Sequence, residues 1–294
     1  MRVTDAILNS VGFIAEVSHS DTLEEIDFQA TGFVTALPSV TVAGGSFPVF
    51  VTAKHVAQAF VGKETKCIVN KKGGGTVEME TLGGVWYPHP TDDSVDVAVI
   101  PCRWPPEAEI IGISLERFLT PQMISEKKVG IGDEVVVPGL FTYVPGSRKN
   151  TPILRQGNLA MLPEEPIQVD SGFAEVYLIE ARSIGGMSGS PVFVRPTMAL
   201  EESRFLEGSN RMLLGVSSDF RLLGLVHGHW DIKESEINSP RIVPNAQRGV
   251  NLGIAVVVPA HKILETIHHP ELLAIRDEHD RLFKNAILPT PDGM

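Results

Sequence analysis

Cysteine is nearly missing from this sequence, with two residues among 294, Cys67 and Cys102. Two thiols build no disulfide framework, so stability has to come from an apolar core, which a chain of this length can bury. Both fall in strand-like stretches, TKCIVN and after VAVIP, and are read as buried thiols. Positive charge is also short. Against 36 Asp and Glu stand 25 Lys and Arg, giving a net charge of −11 and a pI near 5.3. That balance argues against nucleic acid and against an anionic membrane surface as partners. No stretch approaches the ~18 consecutive apolar residues of a membrane span. The N-terminal MRVTDAILNSVGFIAEV has one arginine, and its apolar run is broken by Asn9, Ser10 and Glu16. It makes a poor signal peptide, and the expectation is a cytoplasmic protein.

Helical periodicity is scarce too, until the C-terminus. What the chain has instead is short runs rich in Val, Ile and Phe, such as TGFVTAL (31–37), FPVFVTA (47–53), VDVAVIP (95–101), EVYLIEA (175–181) and GIAVVVP (253–259). Gly, Pro, Asp and Asn separate them, and their lengths are those of strands, so the fold class is all-β. NKKGGGT (70–76) reads as a hairpin tip, and 196–212 and 231–249 as loops. Two helices are expected late. One opens at Pro259 and closes before Pro270, with Ile263, Leu264 and Ile267 on a face. The other runs from Glu271 to about Ile287, with Leu272, Ile275, Leu282 and Ala286 as its apolar stripe.

GGMSGSPVF (185–193) sets Ser188 among glycines. Acyl transfer by a serine needs a base for the hydroxyl proton, an acid to hold that base, and N–H groups for the oxyanion. Gly186 lets the backbone fold tightly ahead of the serine, so that the N–H groups of Gly186 and Ser188 can converge on one spot. Gly189 keeps the far side clear. The base is His55, at the end of a strand in FVTAKHVAQ and flanked by the small Ala53 and Ala57. The acid is Asp96, a single carboxylate opening the apolar SVDVAVIP. Buried there it needs a partner, and a histidine Nδ1–H would serve.

TAKHVA, DVAVI and GGMSGSPVF, in this order, resemble the histidine, aspartate and serine segments of trypsin-like serine peptidases. TGFVTAL is similar to the strand ahead of the histidine in the HtrA and glutamyl-endopeptidase branches. The resemblance spans about residues 28 to 268. It implies two six-stranded antiparallel β-barrels, 1–118 with His55 and Asp96, and 119–258 with Ser188 and the specificity pocket, followed by C-terminal helices and tail over 259–294. It also implies a serine endopeptidase working through an acyl-enzyme on a peptide or protein substrate, without cofactor or metal. Neutralising Asp96 would then cost about 10⁴ in turnover, as in those enzymes. The order excludes an α/β-hydrolase, which runs Ser, Asp, His and places glycine where Ser190 stands.

Departures matter as well. Met187 replaces the aspartate by which secreted trypsins capture a new N-terminus, so no zymogen switch of that kind is expected. Val56 replaces a frequent cysteine. By the same resemblance Arg182, Ser183, His227 and His229 line the specificity pocket and favour an acidic or amide side chain. His227 and His229 also form an H-x-H pair, but with no further ligand evident no metal is assigned. The second reading is a catalytically silent member of the fold that binds peptide or protein. Between the two stands a protease awaiting an activating protein partner, for which Met187 and the long loops leave room.

Overall fold

The computed structural model describes residues 3–19, 24–169, 172–183, 185–196, 220–233 and 249–287. After a short helix, α1 (Asp5–Leu8), the first half runs through β1 (Val11–His19), β2 (Glu24–Pro38), β3 (Ser46–Thr52), helix α2 (Lys54–Ala59), β4 (Thr65–Asn70), β5 (Thr76–Glu78), β6 (Glu80–Thr81), β7 (Tyr87–Pro88) and β8 (Ala98–Arg103). These eight strands form one antiparallel sheet in the order β5-β4-β1-β2-β3-β8-β6, with β7 also on β8. The two ends of this order, β5 and β6, are successive stretches of one chain segment with only Met79 between them, the first paired with β4 and the second with β8. The Met79 side chain is buried and its N–H donates to the Cys67 carbonyl at 2.8 Å. As expected, β4 and β5 make a hairpin whose tip carries the glycines 73–75.

Helix α3 (Pro121–Glu126) leads into the second half, which holds β9 (Glu134–Gly139), β10 (Ile153–Met161), β11 (Ile167–Val169), β12 (Gly172–Ala174), β13 (Tyr177–Glu180), β14 (Pro191–Arg195), β15 (Arg221–Lys233) and β16 (Gly249–Pro259). Six of these close into a barrel, β10-β13-β16-β15-β14-β9, and β11 pairs with β12 outside it. Along β9 and β14 both faces are covered, as their apolar runs require, whereas β10 and β13 turn residues outward. Val135, Val192, Leu223 and Val257, for instance, are fully buried in the barrel core. The reading of 231–249 as a loop gives way at its ends, since β15 reaches Lys233 and β16 starts at Gly249. Most of that segment, and of 196–212, lies outside the described residues.

The late helices are α4 (Ala260–Ile267) and α5 (Pro270–Ile287). Ile263, Ile267 and Leu272 are wholly buried, whereas Leu282 is 59% exposed and does not continue the stripe; the Ala286 side chain lies outside what is described. His268 and His269 serve the junction. His268 Nδ1 donates to the Leu264 carbonyl at the end of α4, and His269 Nδ1 accepts from the Glu271 N–H at the start of α5. Cys67 and Cys102 are buried and unbridged, and burial pushes the Cys102 thiol up to about 12. Among the described residues no helix is long and apolar enough to cross a membrane.

Candidate active site

The pairing of β3 with β8 sets Thr52 opposite Ala98. The residues just after β3 and just before β8 therefore leave the sheet together, and these carry His55 and Asp96. His55 stands in the first turn of α2. Its backbone N–H donates to Asp96 Oδ1 at 2.8 Å, and its Nδ1 lies 2.7 Å from Asp96 Oδ2. An ionised carboxylate only accepts, so Nδ1 carries the proton and Nε2 is left as the basic nitrogen. The Asp96 side chain is 8% exposed, that of His55 46%.

A third group joins them. His227 Nδ1 lies 2.5 Å from the same Asp96 Oδ2, and its ring stands edge-on to that of His55 at 5.6 Å. Burial pushes the Asp96 carboxyl up, but the hydrogen bonds and charges of His227 and His55 outweigh it and hold the group well below the ordinary carboxylate range. His227 reaches Asp96 because β15 bulges there. Val226 faces Val257 and Gly228 faces Val256, so His227 is an extra residue whose side chain is re-aimed.

Ser188 lies in the turn before β14. Its carbonyl accepts from the Thr31 N–H at 3.1 Å and its Oγ donates to the His227 carbonyl at 3.3 Å, not to His55. Thr31 Oγ1 donates to the Gly186 carbonyl at 2.7 Å, and Gly189 N–H donates to the Val226 carbonyl at 2.9 Å. The two glycines have φ of +94° and +82°, a region side chains rarely adopt. Space decides Gly189 in addition, for a Cβ there would sit 2.2 Å from both the Thr31 carbonyl oxygen and Thr52 Oγ1. The serine turn is thus seated directly on the strand end that carries His55. The N–H groups of Gly186 and Ser188 have no acceptor among the described residues.

The four residues assigned to one specificity pocket divide between two. Arg182 and Ser183 border a cavity of about 10 Å³ with Met187, Val226 and Arg155. His227 and His229 border a larger one of about 380 Å³ with Gln168 and Trp230. The H-x-H pair is likewise not the cluster of metal-ligand type. His55, Asp96 and His227 bring ligand atoms within 4.8 Å of one another, and the hydrogen bonds of two imidazoles to one oxygen account for that proximity.

Sequence reasoning missed His227 as a partner of Asp96, Thr31 as an anchor of the turn, and His89. The buried His89 accepts from the Asp92 N–H through Nδ1 at 3.0 Å and so donates through Nε2 to Glu265 on α4 at 2.8 Å, which pins the approach to Asp96. The Asp92 carboxylate accepts from Ser94, and the Asp93 carbonyl accepts from Lys54.

No protein-family model and no curated protein matches the chain. Solved structures do. The apo protease domain of MamO from Magnetospirillum magneticum fits with a TM-score of 0.50 at 13% identity, over 88% of this chain and 96% of that one. The HtrA-type protease AlgW, determined with a decapeptide, fits with a TM-score of 0.50 at 12% identity, over 92% of this chain and 66% of that one. The fold is that of the trypsin-like serine proteases. Identities this low carry the trypsin-like fold and none of the chemistry, which has to be argued from the side chains.

Proposed function

We propose that the chain is a serine endopeptidase. His55 Nε2 takes the proton of Ser188 Oγ as that oxygen attacks a peptide carbonyl. Asp96 keeps His55 in the required tautomer and stabilises the imidazolium, and the N–H groups of Gly186 and Ser188 receive the oxyanion. His55 returns the proton to the leaving amine, and water then hydrolyses the acyl-enzyme. The observation that carries this reading is the double grip of Asp96 on His55, one oxygen on the backbone N–H and the other on Nδ1, beside a serine turn seated on the same strand end.

A second reading has one observation in its favour. The Ser188 hydroxyl is engaged by the His227 carbonyl, as in a resting enzyme that an activating partner would release. Labelling with a fluorophosphonate separates the two. Wild type is expected to label, and Ser188→Ala and His55→Ala to lose the label. A folded wild type that stays unlabelled would overturn the active reading and favour the second.

A further inference from the structure

The small cavity beside the serine turn has two guanidinium groups in its wall and, among the described residues, no carboxylate. Arg182 stands exposed next to it. Arg155, on β10, reaches it from behind Val137, its neighbour in the ladder, and its Nε is fully buried without a hydrogen-bond partner. Among the described residues neither arginine has an ion pair or a hydrogen bond of its side chain. In a chain with 11 more acidic than basic residues, this is an unusual place to leave two cations. An arginine cannot discharge itself, and a buried N–H without a partner is costly. Such an arrangement fits an anion that arrives from outside.

Its position says which anion. Met187, in the wall, precedes Ser188. Val226, also in the wall, precedes His227 and exchanges backbone hydrogen bonds with Gly189 and Ser190. A peptide whose carbonyl lies against Ser188 Oγ would turn the neighbouring side chain toward this cavity. At about 10 Å³ the space holds roughly one water, so the exposed Arg182 side chain has to move aside to admit an occupant, with its guanidinium staying at the rim within reach of a carboxylate.

We propose that this cavity receives an aspartate or glutamate side chain from the residue on the N-terminal side of the scissile bond, with Arg182 and Arg155 binding its carboxylate. The proposal rests on the peptidase reading above and adds a substrate class to it. A glutamine has the shape of glutamate without the charge and leaves both cations uncompensated. A lysine adds a third cation.

Fluorogenic tetrapeptides that differ only in carrying Glu, Asp, Gln, Leu or Lys before the cleaved bond test it on the full chain. The acidic peptides are expected to show the highest kcat/KM, about tenfold or more above Gln, with Lys lowest. In Arg155→Gln and Arg182→Gln the Glu-to-Gln ratio falls toward one, and a ratio does not depend on how much of a variant folds. A preference for Leu or Lys, or a ratio untouched by both substitutions, overturns the proposal. Binding of the Glu and Gln peptides to Ser188→Ala reads the same preference without turnover, and equal affinities would overturn it as well. Fluorophosphonate labelling without acidic preference removes this proposal alone. No labelling removes the peptidase reading, and the binding arm still decides the cavity.

Discussion

Thr31 is fully buried and uses its hydroxyl twice, accepting from the Leu140 N–H at 2.9 Å and donating to the Gly186 carbonyl at 2.7 Å. Its N–H holds the Ser188 carbonyl. Thr31→Val keeps the shape and strands a buried donor and a buried acceptor, each worth about 1–3 kcal/mol. The expected result is a melting temperature lower by roughly 4–8 °C, largely restored in Thr31→Ser, with slower fluorophosphonate labelling of the valine variant while it is still folded. An unchanged melting temperature would mean that the turn is held by other contacts. Nothing in TGFVTAL marks this threonine out, because a β-branched residue in a strand is what strand propensity alone supplies. His55 and Asp96 were legible for the opposite reason, since a lone histidine and a lone carboxylate interrupt apolar runs.

Asp96 is held from several elements at once, by the first turn of α2 and by the bulge of β15, and it stands two residues ahead of β8. Its carboxyl lies below the ordinary range in the folded chain. A group whose pKa is lower folded than unfolded stabilises the fold above its unfolded value, near pH 4, and loses that contribution as the pH falls toward the folded value. Asp96→Asn should therefore be less stable than wild type at pH 7, with a gap that narrows below about pH 4, as read by urea unfolding at pH 7, 5, 4 and 3. A gap that stays constant to pH 3 would show that the carboxylate charge is not what the imidazoles hold. The bulge was illegible in the sequence. Strict alternation along β15 does not bring His227 to Asp96, and only the inserted residue does so. The change of partner at Met79, from β4 to β8, is illegible for a related reason, because it depends on which distant strands pair and not on the local run.

At the scale of the molecule, the all-β class and two late helices followed from run lengths and turn residues, and the order of three short motifs pointed to the trypsin-like fold, whose closed second barrel the structure has. The docking of α5 did not. The buried Asp280 accepts from Ser39 Oγ and the Val40 N–H, both at 2.7 Å, and so ties the last helix to the turn between β2 and β3. Burial pushes its carboxyl up, but these hydrogen bonds bring it below the usual range. Asp280→Ala leaves two donors without their acceptor and should cost about 2–3 kcal/mol in urea unfolding. Proteolytic nicking between Ser39 and Ser46 should rise with it. A loss below about 0.5 kcal/mol would show that α5 is held by its apolar face alone.

Ser39 and Asp280 are 241 residues apart. A ribosome adding about 5–20 residues per second would expose the β2–β3 turn roughly 12–48 s before the helix that fastens it, whereas hairpins form in about 1–10 μs. For that interval the strands bearing the histidine and the aspartate have to stand without their latch. The β2–β3 turn thus waits, through the synthesis of 241 further residues, for the carboxylate that fastens it.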